Sequence, residues 1–152
     1  MRYMLLVHHD EISFAQRPED ERRGMIQESV QLANQLYATG HYLAAAPLHP
    51  SSETACVQVR EGKRLVTDGP FAETREQIGG YFLVEAKDVN EAIEIAARIP
   101  GARIGTVEVR PLTEVEGLPT AANRTPIDGL SINSMRAVFS TTRNRFARYQ
   151  NI

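Results

Sequence analysis

Cysteine is nearly missing from this sequence, since Cys56 is the single one in 152 residues. One thiol cannot close an intramolecular disulfide or form a cysteine metal site, so we expect a reducing, cytoplasmic setting and a packed Cys56. Long apolar runs are missing too. The run from Tyr3 to Val7 is too short for a signal-peptide core or a membrane span. These absences argue against a disulfide scaffold and a membrane-spanning protein.

An excess of charge of either sign is also missing. The chain has 17 Lys and Arg against 19 Asp and Glu, a formal net charge of −2 at pH 7. Such a balance gives no broad attraction to nucleic acid or to anionic membranes. The first 116 residues contain no helix-turn-helix pattern and no basic stripe. We therefore expect the partner to be a small molecule or a second copy of the chain, with neither nucleic acid nor membrane involved.

Several catalytic motifs do not occur. Without a G-x-S-x-G string, serine hydrolase chemistry has no support. Without a G-x-G-x-x-G or P-loop pattern before a helix, Gly69, Gly79 and Gly80 are predicted to supply backbone freedom and not phosphate binding. No H-x-H or H-x3-H pair exists, so a metal site would need scattered ligands such as His41 and His49. We expect no metal and no cofactor.

What the sequence does contain is an alternation of strand and helix patterns. It predicts strands at 2–9, 41–48, 54–59, 64–67, 81–86 and 104–111, and helices at 18–37 and 88–99. With the hairpin 54–67 set aside as an insertion, the order is the βαββαβ of an α+β, ferredoxin-like fold. The first strand is apolar on both faces, so the helix-free face of the sheet is predicted to pack on the same face of a second subunit.

The composition changes after Glu116, which predicts a domain at 1–116 and an extension at 117–152. The extension begins as a linker rich in Pro, Thr, Ser, Asn and Gly. From Met135 onward, apolar residues recur near helical spacing and arginines occupy other faces. Two interpretations stay open. The extension is either a disordered or partner-wrapping segment, or it carries a short basic amphipathic helix that docks on a membrane or nucleic acid.

The most specific motif is the string DGPFAETREQIGGY, which runs from Asp68 to Tyr81. It resembles the signature of the DGPF, or DGPFAETKE, branch of the YCII-related family, with Arg75 in place of Lys. The resemblance covers roughly residues 1–115. It implies a ferredoxin-like domain that forms a dimeric α/β barrel, in a family without a settled biochemical activity.

The candidate catalytic residues are His8, His9 and Asp68. A strand points neighbouring side chains to opposite faces, so one histidine at most faces a given cleft, and the sequence leaves open which. Asp68 is either a turn starter or a proton acceptor that works with a histidine. Some YCII-related proteins have a His and Asp pair proposed as the active site, which implies a catalytic role for Asp68 near the strand-one histidines.

Four further residues are candidates for substrate binding: His49, Phe71, Glu73 and Arg75. His49 lies in a loop predicted to cap one end of the sheet. Glu73 and Arg75 could bind a small acid or position a water, although such runs are usually solvated surface. Phe71 is predicted to anchor its loop in the core, with a stacking platform as the alternative.

Three functions follow from this sequence. The first is a cofactor-free enzyme of the isomerase, lyase or dehalogenase type that works by proton transfer, an analogy with muconolactone isomerase and dehydrochlorinase-type folds. The second, implied by the resemblance, is a non-catalytic ligand-binding or regulatory module associated with a sigma factor. The third is a dimeric scaffold without a ligand.

Overall fold

The structure is a computed structural model that describes residues 1–118. The chain divides into two units, Met1–Thr113 and Glu114–Ile152. In the second unit the described residues end in a turn, where the N–H of Leu118 donates to the carbonyl of Val115 over 3.4 Å. The helix predicted from Met135 lies outside the described residues, and the boundary at 116/117 stays a prediction. No helix within residues 1–118 has the length and apolar character to cross a membrane.

The first unit contains six strands and three α-helices within its described residues. They are β1 (Arg2–His9), α1 (Glu11–Ala15), α2 (Glu19–Ala38), β2 (Tyr42–Pro47), β3 (Ala55–Arg60), β4 (Lys63–Asp68), β5 (Gln77–Glu85), α3 (Val89–Ala97) and β6 (Thr106–Pro111), with short 3-10 helices at Ser51–Glu53 and Pro100–Arg103. The predicted strands and helices are confirmed. The sequence missed α1, and it placed the start of β5 four residues late, because Gly79 and Gly80 look like a loop.

Four strands form one sheet in the order β2-β5-β1-β6, and every neighbouring pair is antiparallel. The hairpin β3-β4 forms a separate two-stranded sheet. This α+β arrangement of antiparallel sheets is compatible with the ferredoxin-like fold expected from the order of elements. The dimeric barrel involves a second copy of the chain and stays a prediction.

The helices begin where the sequence indicates. Asp88 caps α3 by accepting a hydrogen bond from the N–H of Glu91 over 3.0 Å, and the Glu91 carboxylate accepts one from the N–H of Lys87 over 2.7 Å. The two side chains therefore form a capping box at the start of the predicted helix. Helix α2 follows Pro18 without a side-chain cap, and acidic residues in its first turn complement the positive end of the helix dipole.

The core lies on one face of the sheet. Tyr3 and Leu5 of β1 and Phe82 and Val84 of β5 pack against both long helices. The buried helix residues are Leu32 and Leu36 on α2 and Ala92, Ile95 and Ala96 on α3.

The opposite face of the sheet carries Met4, Leu6, Tyr81 and Leu83, which are half-buried. Met4 lies opposite Leu83 and Leu6 opposite Tyr81 in the strand register. Directly opposed residues point to the same side of a sheet, so these four form one apolar surface, here called the open face.

Candidate functional site

A cavity of about 880 Å³ lies between α2 and one end of the sheet. It forms because α2 packs on the sheet through Leu32 and Leu36. Ile26, Val30 and Tyr37, on the neighbouring face of the helix, line the open space. Strand ends and loops supply the other walls, including Val7, Phe14, Leu48, Gly80 and Pro100. We call this space the α2 cavity. Its lining is mostly apolar and its volume is in the range of small-molecule sites.

His9 lines the α2 cavity at the end of β1. Its ring is tilted 56° against the ring of Phe14, with centroids 4.8 Å apart. On the other side the imidazole lies on Gly79, where a Cβ atom would overlap the ring. The strand register explains this, because Val7 pairs with Gly80 and His8 with Ile78, leaving Gly79 as an extra residue in β5. A bulge with a glycine therefore makes room for the imidazole.

Burial lowers the pKa of His9 below its ordinary value, although the carboxylates of Glu11, Asp10 and Glu76 act in the opposite direction. The imidazole is therefore neutral near pH 7. Neither ring nitrogen has a hydrogen-bond partner among residues 1–118. A neutral ring nitrogen at a cavity wall can accept a proton or a hydrogen bond from a bound molecule.

Glu11 joins three segments at the rim of the α2 cavity. Its carboxylate accepts hydrogen bonds from the N–H of Ser51 over 2.8 Å and from the Ser51 hydroxyl over 2.7 Å. Its own N–H donates to Gln77 Oε1 over 3.4 Å. The start of α1, the 3-10 helix at Ser51–Glu53 and the start of β5 are thus linked beside His9.

His8 points away from the α2 cavity. It alternates with His9 along β1 and does not line the space. Its Nε2 atom lies 3.3 Å from Glu108 Oε2 but does not meet hydrogen-bond geometry. Glu108 is also bound by Arg110, whose Nε is 2.7 Å from Oε1. Of the two histidines that the sequence left open, His9 is the one at the cavity.

Asp68 lies at the end of β4, where it pairs with Ala55 and is exposed to solvent. The next residue, Gly69, donates its N–H to the carbonyl of Thr54 over 2.7 Å and has a φ of +95°, which favours glycine. Asp68 does not line the α2 cavity within one chain. The structure does not bring it to the strand-one histidines, because the hairpin extends from the four-stranded sheet as a separate sheet.

The four predicted binding residues are all exposed and none lines the α2 cavity. The side chain of Phe71 is 88% exposed, so the prediction that it anchors its loop in the core is wrong. His49 Nδ1 lies 3.4 Å from Glu53 Oε2, and Arg75 Nε lies 3.8 Å from Asp10 Oδ2. Glu73 is a surface residue of the same loop.

His41 and Cys56 have local partners. His41 Nδ1 lies 2.8 Å from the Thr39 hydroxyl, and its Nε2 lies 3.6 Å from Glu91 Oε1, beside a second cavity of about 400 Å³. The half-buried Cys56 donates its thiol to the carbonyl of Gly69 over 3.2 Å. Within residues 1–118 no three His, Cys, Asp or Glu side chains are grouped to hold a metal ion.

Sequence reasoning missed Glu11, Phe14 and Arg22 as site residues. A signal for α1 existed in Asp10, which caps that helix by accepting a hydrogen bond from the N–H of Ser13 over 2.9 Å. An Asp three residues before a Ser, followed by Phe, is compatible with a short capped helix. No local pattern marks Arg22, because its neighbours on α2 are also charged.

Two comparisons with known proteins cover the same part of the chain. The YCII-related domain matches residues 1–116. An uncharacterised protein from Rhizobium meliloti (strain 1021) is 33% identical over 116 residues, which are 74% of this chain and 92% of that relative. Both matches span about the length of the unit that contains the α2 cavity.

Proposed function

The chain belongs to the YCII-related family, and we propose that it is a cofactor-free enzyme that moves a proton on a small, largely apolar molecule in the α2 cavity. The observation that carries this proposal is the neutral imidazole of His9, which lies without a hydrogen-bond partner among residues 1–118 in an apolar wall. His9 is the proposed general base. Glu11 is a positioning residue for the rim beside it.

In the proposed reaction a ring nitrogen of His9 accepts a proton from a C–H or O–H group of the bound molecule. The imidazolium that forms is destabilised by burial, but it is stabilised by the charges of Glu11, Asp10 and Glu76. Returning the proton to another atom gives an isomerisation, whereas loss of a leaving group gives an elimination. A positioned general base contributes about 10²–10⁴-fold to such a step.

The apolar side chains around His9 support the same reaction class. Phe14, Ile26 and Val30 line the α2 cavity and would exclude water when a molecule fills it. Exclusion of water strengthens the electrostatic effect of the nearby carboxylates on the imidazolium.

Hydrogen exchange tests this function before a natural substrate is known. Aromatic ketones and lactones with an acidic C–H are incubated with the protein in D₂O, and NMR follows loss of the C–H signal. We expect His9→Gln to remove the protein-dependent exchange and His8→Gln, on the other side of β1, to retain it. Equal exchange by the two variants would exclude His9 as the base.

A non-catalytic ligand-binding module is the alternative, and the same cavity supports it because a mostly apolar space can bind without reacting. Ligand binding that depends on His9, together with no exchange in D₂O by the unaltered protein, would favour the module. Association with a sigma factor remains a prediction of the resemblance. Gel filtration of the two proteins mixed would test it.

We further propose that the open face pairs with the same face of a second copy, which would complete the dimeric barrel. The apolar character of Met4, Leu6, Tyr81 and Leu83 supports this, since such a surface favours burial. Light scattering should give the mass of a dimer at micromolar concentration. We expect Leu6→Glu to give a monomer, while Ile93→Glu, on the exposed side of α3, should retain the dimer.

The finer assignment to the DGPF branch is also a proposal and rests on the string from Asp68 to Glu76. The β3-β4 hairpin and the loop that follows it leave Val57, Val66 and Phe71 exposed, which supports a contact with the second copy and not with the core of its own unit. The Asp68→Asn variant tests whether Asp68 takes part in catalysis or ligand binding. Unchanged folding and ligand binding in that variant would remove Asp68 from the site.

A further inference from the structure

Three arginines near the start of α2 differ in their partners. Arg17 Nη1 lies 3.4 Å from Glu21 Oε2, and Arg23 Nη1 lies 3.7 Å from Glu19 Oε1. The side chain of Arg22 has no ion pair or hydrogen bond among residues 1–118, and its Nε atom is buried from solvent. Arg22 is also the one of the three that lines the α2 cavity.

The helix geometry explains why Arg22 stands apart. Arg22, Ile26, Ser29 and Ala33 follow one another at spacings of three or four residues, so they share one face of α2. All four line the α2 cavity. Arg23 belongs to another face of α2 and Arg17 lies just before the helix, and an acidic residue four positions away reaches each of them. Arg22 is therefore directed into a mostly apolar space without a counter-ion.

A buried guanidinium N–H without an acceptor is unfavourable, and its fork of donors matches a carboxylate. The carboxylate of Glu11 lines the same cavity, but it lies outside ion-pair distance of Arg22 and already accepts two hydrogen bonds from Ser51. The acceptor that Arg22 lacks would therefore come from the bound molecule.

We propose that the α2 cavity binds an amphipathic organic acid whose carboxylate pairs with Arg22. Its apolar body packs on Ile26, Val30 and Phe14, and the reacting group faces His9. This inference rests on the proposed function of the cavity and names its substrate class. Arg22 acts in binding and not in proton transfer, so the two can be tested separately.

The test is equilibrium binding of two probes of the same shape, 2-naphthoate and the neutral 2-naphthamide, measured by calorimetry on the full chain. We expect naphthoate to bind at least about tenfold more tightly, because charge-assisted hydrogen bonds favour the anion. Arg22→Gln should weaken naphthoate about ten- to a hundredfold and change naphthamide less than about twofold. Arg22→Lys, which keeps the charge without the fork, should be intermediate.

Arg23→Gln is the matched control, since it removes an arginine from the adjacent position of the same helix. It should change neither affinity by more than about twofold, because Arg23 is exposed and does not line the cavity. Equal losses in Arg22→Gln and Arg23→Gln would show a general charge effect and overturn the inference. Circular dichroism verifies that each variant is folded.

The remaining outcomes separate this inference from the proposed function. Equal binding of both probes by the unaltered protein would overturn the role of Arg22 but leave the cavity and His9 in place. Binding of neither probe would overturn both. Light scattering during each titration measures the mass of the protein and tests whether a second copy of the chain, and not a small molecule, occupies the α2 cavity. Dissociation of an oligomer when naphthoate is added would mean that a second copy fills the cavity, which also contradicts the inference.

Discussion

Two neighbouring faces of α2 carry similar apolar residues, yet they differ in what covers them. Leu32 and Leu36, near the end of the helix, are 5% and 2% exposed in the core. Ile26 and Val30, on the neighbouring face of the helix, are 57% and 55% exposed at the α2 cavity. Apolar periodicity therefore marks a face of a helix without telling whether protein or an open space meets it. In this helix one face stabilises the fold and the neighbouring face is open for binding.

The largest effect should come from the face of α2 that packs in the core. We expect Leu36→Ala to lower the free energy of unfolding by about 2–5 kcal/mol, because it leaves a cavity in the packed core. Ile26→Ala should change it by less than about 0.5 kcal/mol, since Ile26 has little packing to lose. Urea unfolding measures both values. Similar losses in the two variants would mean that the α2 cavity is filled in solution.

A second comparison concerns the space around two glycines, Gly79 in β5 and Gly24 in α2. A methyl group at Gly79 would overlap the His9 ring, so Gly79→Ala should lower the free energy of unfolding by about 1–3 kcal/mol and displace the imidazole. The pKa of His9 should then rise toward its ordinary value, as measured by NMR titration of the ring.

Gly24→Ala is the control for the same substitution within a helix. Nothing lies within 4 Å of the added methyl group, so we expect α2 to gain stability of about 0.5–1 kcal/mol. A loss at Gly24 as large as at Gly79 would contradict the packing of His9 on the bulge.

A smaller effect concerns the rim. Ser51→Ala removes the hydroxyl that donates to Glu11 over 2.7 Å, and we expect it to lower the free energy of unfolding by about 1–2 kcal/mol. Ser52→Ala changes the adjacent exposed residue and should have no measurable effect. Thermal unfolding of the two variants checks this. Equal melting temperatures would show that the link to Glu11 does not form in solution.

Much of the fold could be predicted from sequence because it depends on local signals. The capping box at Asp88 and Glu91 marked α3, and the apolar repeat marked α2. The alternation of β3 and its return in β4 marked the hairpin. Each signal lies within a few residues of the element that it specifies, so no tertiary contact was needed.

The candidate site could not be predicted in the same way. Which histidine faces the cavity depends on the side of β1 that the helices cover. The space for the His9 ring depends on Gly79, 70 residues later in the chain. The prediction for Phe71 was wrong because an aromatic side chain usually favours burial, whereas Phe71 lies exposed in the loop that follows the separate hairpin sheet. Arg22 lines the cavity and Arg23 does not, and this difference depends on the shape of the cavity, which no local sequence pattern indicates.

The smallest expected effect is on the pH dependence of the free energy of unfolding, in which His9 and the exposed carboxylates act over different pH ranges. Because burial keeps the pKa of His9 lower in the folded chain than in the unfolded one, the unfolded state binds more protons as the pH falls below about 6.5. The contribution of His9 is unchanged above that pH, and stability falls from there down to the folded pKa.

Asp10 also has a lowered pKa, because its carboxylate accepts the N–H of Ser13, but its stabilisation is lost at lower pH, below about 4. The two windows therefore do not overlap. Urea unfolding between pH 7 and pH 5 should show a slope for the unaltered protein and for His8→Gln, and a flatter one for His9→Gln. Because the ring is only half-buried, the difference should be small. An identical slope in His9→Gln would mean that the imidazole titrates normally, and the proposed base would then be largely protonated below pH 6.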